Sequence, residues 1–233
     1  MINHLLTEMP LRTSALRSLG AFINVFAAES FMDELAVAAG RDPVEFRLAH
    51  LSDPRGRAVL RAAASRAGWT ELAARDAVGS VGSVGRGVGY ARYKNSAAYC
   101  AVVAEVEAID EVRVRRLVIA VDAGLVINPD GAANQIEGGA VQATSWTLKE
   151  RVRFDRFHVT SDTWETYPIV RFSEVPVIEV ELVAGQGNPS LGIGECAQGP
   201  TAAAIANAIY DALGVRARSL PLTAEQLIAA MPD

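Results

Sequence analysis

The stretch Gly79-Ser-Val-Gly-Ser-Val-Gly-Arg-Gly-Val-Gly89 separates two kinds of pattern that one fold must reconcile. Before it, apolar residues recur at helical spacing. After it, branched residues gather in runs that read as strands. A phosphate-binding loop needs a strand before its glycines and a helix immediately after. Here the order is reversed, so that reading is rejected and 79–89 is read as a flexible connector. The expectation is an α+β chain with a small helical N-terminal region over 1–78, the connector over 79–89, and an α+β domain over 90–233 built on a mixed sheet with packed helices.

Local signals mark the elements. Phe22, Val25, Phe26, Met32, Leu35 and Ala36 form one apolar stripe on a helix that Gly40 stops. Asp42 caps a second helix and Pro43 suits its first turn. A third helix over 55–67 turns Val59, Leu60 and Ala63 inward and Arg57, Arg61 and Arg66 to solvent. Tyr99–Glu107 and Val112–Val121 read as antiparallel neighbours across a turn at Asp110-Glu111. A helix follows over 131–148, and Val177–Val183 alternates as a half-exposed strand. Pro200 opens another helix that Gly214 ends, and Thr223 with Gln226 has capping-box spacing before the last one.

Composition excludes several functions. The formal net charge of −5 gives no basic excess for a phosphate backbone, so nucleic acid is not an expected partner. No apolar run approaches the roughly 20 residues of a membrane span, and Met1–Pro10 lacks the character of a secretory signal. The 2 cysteines, Cys100 and Cys196, allow one disulfide but form no Cys-x-x-Cys, so neither an iron–sulfur cluster nor structural zinc is expected in this chain. His4, His50 and His158 have no ligand spacing and read as surface or structural residues; no protein metal ligand is expected.

Three segments can carry chemistry. Glu195 lies in Gly192-Ile-Gly-Glu-Cys-Ala-Gln-Gly-Pro200, between small residues and a helix start. A catalytic base needs a carboxylate close to the reacting proton, often with its pKa raised by partial burial. Gln135, which both donates and accepts, precedes Gly138 and Gly139, each costing roughly 1 kcal/mol inside a helix unless something packs closely there. Arg17-Ser-Leu-Gly20 places an arginine beside a glycine turn at a helix start, which suits an anionic or polar cofactor. Read alone, Glu195 is an ordinary loop glutamate near a helix dipole and the glycines are helix–sheet packing.

Taken in order, these segments resemble the large, molybdopterin-binding subunit of the xanthine dehydrogenase and aldehyde oxidase family. The match runs through Arg17-Ser-Leu-Gly20, Glu29-Ser-Phe-Met-Asp-Glu-Leu-Ala36, Asp42-Pro-Val-Glu-Phe-Arg-Leu48, Val121-Asp-Ala-Gly-Leu-Val-Ile-Asn-Pro129, Gln135-Ile-Glu-Gly-Gly139, Gly194-Glu195 and Ala206-Asn-Ala-Ile209. The wording is nearest to the isoquinoline oxidoreductase branch.

The resemblance implies a molybdenum hydroxylase acting on an aldehyde or N-heterocycle with water as oxygen source. Its molybdenum would be held by molybdopterin, as the cytosine dinucleotide, and not by protein side chains. Glu195 matches the base that deprotonates a molybdenum-bound hydroxyl. Arg17, Gln135, Gly138, Gly139 and Gly194 match positions beside the cofactor. Leu19 lines the substrate pocket where purine-oxidising relatives have an aromatic residue, which disfavours a stacked purine. Cys196 stands where proline is common.

Electrons would leave to a separate 2Fe–2S small subunit. The family's Gly-Gly-Phe-Gly and Met-Gly-Gln-Gly elements are absent from this chain. It is therefore expected to be the C-terminal part of a larger or split subunit, completed by another chain or segment and inactive in isolation, in the cytoplasm or in a periplasmic complex. The alternatives are a non-catalytic scaffold or assembly protein of the same fold, and an unrelated binding module. In the latter, Arg17, Gln135 and Glu195 would lie far apart.

Overall fold

The computed structural model describes residues 7–69, 84–109, 111–183, 185 and 187–231. His4 and residues 79–83 of the expected connector lie outside these. The helices begin and end where local chemistry directs. Helix α1 (Ala21–Ala38) stops at Gly40, whose φ of +60° lets its amide reach Val37 O and that of Arg41 reach Ala36 O. Helix α2 (Pro43–His50) is capped by Asp42, which accepts from the amides of Val44 at 2.9 Å and Glu45 at 3.0 Å. Asp53 does the same for α3 (Pro54–Arg66), accepting from Arg55 N at 2.9 Å.

Strands β1 (Val84–Arg92), β2 (Tyr99–Ala108), β3 (Val112–Asp122) and β4 (Val177–Leu182) form one sheet in the order β1-β2-β3-β4. The first two pairings are antiparallel and β3–β4 is parallel, so the sheet is mixed. Helix α4 (Pro129–Leu148) connects β3 towards β4; α5 (Gln198–Leu213) and α6 (Ala224–Ala229) follow. Asn128 caps α4, left-handed Gly214 ends α5, and Thr223 caps α6.

Both faces of β2 and β3 are buried, which is why their sequences alternate only in part. One face, with Cys100, Val102, Ala104, Leu117, Ile119 and Val121, packs on Ile136 of α4 and Ile205 and Ile209 of α5. The other, with Ala101, Val103, Val118 and Ala120, packs on Val59, Leu60 and Ala63 of α3. Each such fully buried branched side chain contributes roughly 1.5–3 kcal/mol. Helices α2 and α3 of the N-terminal region thus cover this face of the sheet, whereas α1 packs against α5.

The expected connector is corrected by the structure, because 84–89 is strand. Its alternate glycines lie under α5. A Cβ at Gly85 would fall 2.0 Å from Ala208 O, at Gly87 2.2 Å from Ala208 N, and at Gly89 2.3 Å from Pro200 O. Only a side-chain-free strand face lets α5 approach this closely. Helix α5 answers with Ala203, Ala204, Ala208 and Ala212, all buried. It lies between the sheet, α1 and α4, so it is buried almost all round and has no polar stripe.

Two expectations about helix faces also change. Leu35 of the proposed α1 stripe is exposed, whereas Glu29 and Asp33 are buried. Arg47 donates to Glu29 Oε2 at 2.7 Å and to Glu29 O at 2.8 Å, while Arg216 donates to Asp33. Burial still outweighs these cations and raises the pKa of Asp33. On α3, Arg61 and Arg66 are exposed as expected, Arg66 donating to Glu179 at 3.0 Å, but half-buried Arg57 donates to Leu48 O and Leu51 O. These arginines tie elements together. Cys100 and Cys196 are buried free thiols; a hydrogen bond with Cys196, followed by burial, pushes the Cys100 pKa up.

Candidate active site

The site forms where three distant segments meet: the turn before α1, the first half of α4, and the bend before α5. Residues 16–20 make a tight turn in which Ser18 and Leu19 have φ of +72° and +49°. This turn points Arg17 into the protein and aims the Ser18 amide at Glu195. Arg17 Nε donates to Gly194 O, and Nη2 donates to Gln135 O at 2.8 Å and to Gln135 Oε1 at 3.3 Å. Arg17, Gln135 and Glu195, expected to converge if the resemblance held, are therefore within one connected group.

Both oxygens of Glu195 are held. Ser18 N donates to Oε1 at 3.0 Å and the Tyr93 hydroxyl to Oε2 at 2.8 Å. Donors to the ionised form stabilise it, so the expected direction of the pKa shift is corrected. The Tyr93 hydrogen bond, then the Ser18 amide, outweigh burial and hold Glu195 below the usual carboxylate range, aided by Lys94 and Arg17. Burial and the same carboxylate push Tyr93 up to about 12, so it stays a donor. Gln198 completes the frame: in the orientation that satisfies its amide, it donates to Glu195 O at 3.0 Å and accepts from Arg17 Nε at 2.7 Å.

The glycines differ in their surroundings. At Gly139 a Cβ would meet the Gln198 amide at 3.1 Å, which is close packing. At Gly138 its nearest neighbour would be Arg17 Nη1 at 3.9 Å, and at Gly194 Gln135 Oε1 at 3.8 Å. Among the described residues these two positions are open. Gln135 is exposed beside them, and the buried Ser18 hydroxyl has no partner among the described residues. An open glycine floor, a guanidinium, a free amide edge and an unpartnered hydroxyl fit one wall around a flat polar group such as a pterin. Leu19 stands at the rim, 47% exposed.

Sequence pattern alone does not single out Tyr93, the Ser18 amide or Gln198. Tyr93 lies far from Glu195 in the chain, and only the antiparallel pairing of β1 with β2 brings its hairpin to the site. Gln198 follows Glu195 closely, and its spacing marks no more than a helix start. The histidines behave as expected where described: His50 Nδ1 pairs with Phe46 O at 2.8 Å and His158 is exposed. Among the described residues no group of histidine, cysteine or carboxylate side chains is arranged to hold a metal ion.

Residues 21–176 match the family described as molybdopterin cofactor-binding domain, a span that contains Gln135 but not Arg17 or Glu195. The chain is thus a cofactor-binding domain of the molybdenum-enzyme class. It belongs to the xanthine dehydrogenase and aldehyde oxidase family of molybdopterin-binding subunits. One relative, a subunit of the nicotinate dehydrogenase of Pseudomonas putida, is 48% identical over 94% of this chain and 20% of its own length. Another, the beta subunit of isoquinoline 1-oxidoreductase from Brevundimonas diminuta, is 36% identical over 89% of this chain and 26% of its own. The solved aldehyde oxidoreductase of Desulfovibrio gigas superposes with a TM-score of 0.68 at 17% identity, over 93% of this chain and 41% of that one, a likeness of fold. The chain spans only about a fifth to a quarter of the two sequence relatives.

Proposed function

We propose that this chain supplies one wall of a molybdenum hydroxylase active site, in which Glu195 is the base and the substrate is an N-heterocycle or aldehyde. The observation that carries this reading is the convergence of three segments: Arg17 bonds Gln135 and the Gly194 carbonyl, and the amide of Ser18, next to Arg17, bonds the Glu195 carboxylate. Arg17, Gln135, Gly138 and Gly194 would hold the molybdopterin, in its cytosine dinucleotide form, while buried Gly139 seats Gln198 behind them. When bound, that group supplies a two-electron acceptor and, from water, the oxygen that ends in the product.

The chain's own residues supply binding and proton handling. The Ser18 amide and Tyr93 hydroxyl fix the plane of the Glu195 carboxylate and keep it ionised. Each carboxylate oxygen keeps a free lone pair, so either can accept a proton. Arg17 ties the Gly194 carbonyl to Gln135, which locks the backbone carrying Glu195 to α4. Such preorganisation saves the cost of orienting the base during reaction. Leu19 would touch the substrate.

The remaining walls come from another chain or segment, and electrons leave to a 2Fe–2S small subunit. Exposed Phe157, Trp164 and Phe172, at 86%, 77% and 100%, support a partner contacting the segment between α4 and β4. Among the described residues no helix is long and apolar enough to cross a membrane. We place the assembly in the cytoplasm, or in the periplasm as an exported complex.

The test is metal and pterin analysis of the chain purified with its partner subunits, beside a Glu195→Gln variant. The reading expects stoichiometric molybdenum in both and a kcat lowered about 10²–10⁴-fold in the variant. Retained turnover, or loss of the metal on this substitution, would remove Glu195 from the role. Intact assembly without molybdenum would favour the non-catalytic scaffold.

A further inference from the structure

Helix α1 is built inside out. Its buried residues, Phe26, Glu29, Asp33 and Ala36, pack towards α5, α2 and β1 and include two carboxylates. Its exposed residues, among them Ile23, Ala27, Ala28, Phe31 and Leu35, include no charge. A surface helix ordinarily turns its polar face to water and its apolar face to the core. Rotating α1 does not repair the inversion. Glu29 is held by Arg47 and Asp33 by Arg216, and turning the helix would strand buried Arg47 without its partner. Glu34, on the flank, is also taken, by Arg218 at 2.8 and 3.0 Å.

Two hollows flank this apolar ridge. Ala27 and Ser30 border a cavity of about 260 Å³ that Arg216 also lines, and Asn24 and Ala28 border a cleft of about 640 Å³. In the smaller hollow, Ser30 Oγ and Arg216 Nε are buried with no partner among the described residues. Buried polar atoms are normally hydrogen-bonded. A single exposed apolar residue needs no explanation. A charge-free ridge with grooves on both sides and unpartnered polar atoms beneath it has the composition of an interface core.

The ridge starts at the candidate site. Leu16 and Leu19, 69% and 47% exposed, lie in the turn that carries Arg17, and α1 begins directly after it at Ala21. A helix rises about 1.5 Å per residue, so Phe31 stands roughly 15 Å from that turn. A polypeptide that closes the open side of the pterin wall over Leu19 is within reach of the whole ridge. Most of the length of the two sequence relatives lies outside this chain, which is ample for such a body. We infer that the outer face of α1 is the docking surface for the polypeptide that supplies the remaining walls of the cofactor site, seated on Ile23, Phe31 and Leu35. This rests on the hydroxylase reading of the site and names where its missing part is held.

The test puts the photocrosslinker p-benzoylphenylalanine in place of Phe31 in one assembled complex and of Leu19 in another, and identifies the crosslinked peptides by mass spectrometry. The same polypeptide should be captured from both positions. Capture from Phe31 of a second copy of this chain, of residues 70–83 of the same chain, of a polypeptide other than the one at Leu19, or of nothing would each overturn the inference. No capture from Leu19 would overturn it as well, by removing the closing polypeptide. Phe31→Asp should lower recovery of the assembled complex about 10- to 100-fold, the range of an interface hot spot, and Phe31→Leu should stay near wild type. Undiminished recovery of Phe31→Asp would count against the docking surface; if that variant is lost altogether, the crosslinks decide. Complexes that crosslink from both positions yet hold no molybdenum would instead sink the hydroxylase reading and leave the docking surface standing.

Discussion

Along β1, a methyl group added to Gly85, Gly87 or Gly89 would run into the backbone of α5; at Gly138 and Gly194 it would meet nothing closer than 3.8 Å. The same residue type therefore has two physical explanations in one small protein. In the first region the missing side chain is replaced by another element of this chain, and the benefit is the close seating of an alanine-rich helix. In the second, nothing among the described residues fills the space. A glycine within α4 costs roughly 1 kcal/mol against alanine, and at Gly138 no packing among the described residues offsets that cost. The proposed bound group would account for that open position.

The comparison breaks most sharply with Gly87→Val. Its Cβ would fall 2.2 Å from Ala208 N, so α5 would have to lift from the sheet and uncover Ile205 and Ile209. Loss of folded protein, read by circular dichroism and thermal denaturation, is the expected outcome; a native-like Tm would refute the close-packing account. A smaller effect is expected from Tyr93→Phe, which removes the main donor holding the Glu195 pKa down. A depressed carboxylate stays ionised to lower pH, so both its competence as a base and its contribution to stability persist until pH falls through the folded-state value. Without the donor that value rises. The acid limb of the kcat profile should move to higher pH, and the fold should be lost at higher pH on acidification. An unmoved acid limb would mean that Tyr93 does not position the base. The smallest change in stability belongs to Gly138→Ala, expected to stabilise the chain by about 0.5–1 kcal/mol in calorimetry while lowering pterin content in the assembled complex. Unchanged pterin content would make this glycine an ordinary exposed position.

Much of this molecule is legible at short range. Asp42-Pro43, Gly40, Gly214 and Thr223 mark helix ends correctly, because caps and stops depend on hydrogen bonds spanning only a few residues. Strands β2 and β3 are recognisable from their branched residues, and the mixed sheet follows from the family resemblance. Arg17, Gln135 and Glu195 stand out as proposed cofactor and base positions through their motifs, and the fold brings them together, Arg17 bonding Gln135 and the neighbouring Ser18 amide bonding Glu195.

Other features depend on packing across the chain. The glycines of β1 read as a connector because the helix that needs them lies more than a hundred residues later. Glu29 and Asp33 lie outside the apolar stripe of α1, and only the fold buries them against Arg47 and Arg216. The shift at Glu195 runs opposite to the one expected, since its sign depends on Tyr93 and Ser18, donors brought there by a hairpin and a turn. Residue order was enough for the helix caps and stops, the family and the choice of the proposed base, because these reside in local hydrogen bonding and in motif order. Folding settled which side chains meet, how close the elements come and which way a titrating group is pushed, because desolvation and contact are properties of the packed arrangement and not of the chain's order.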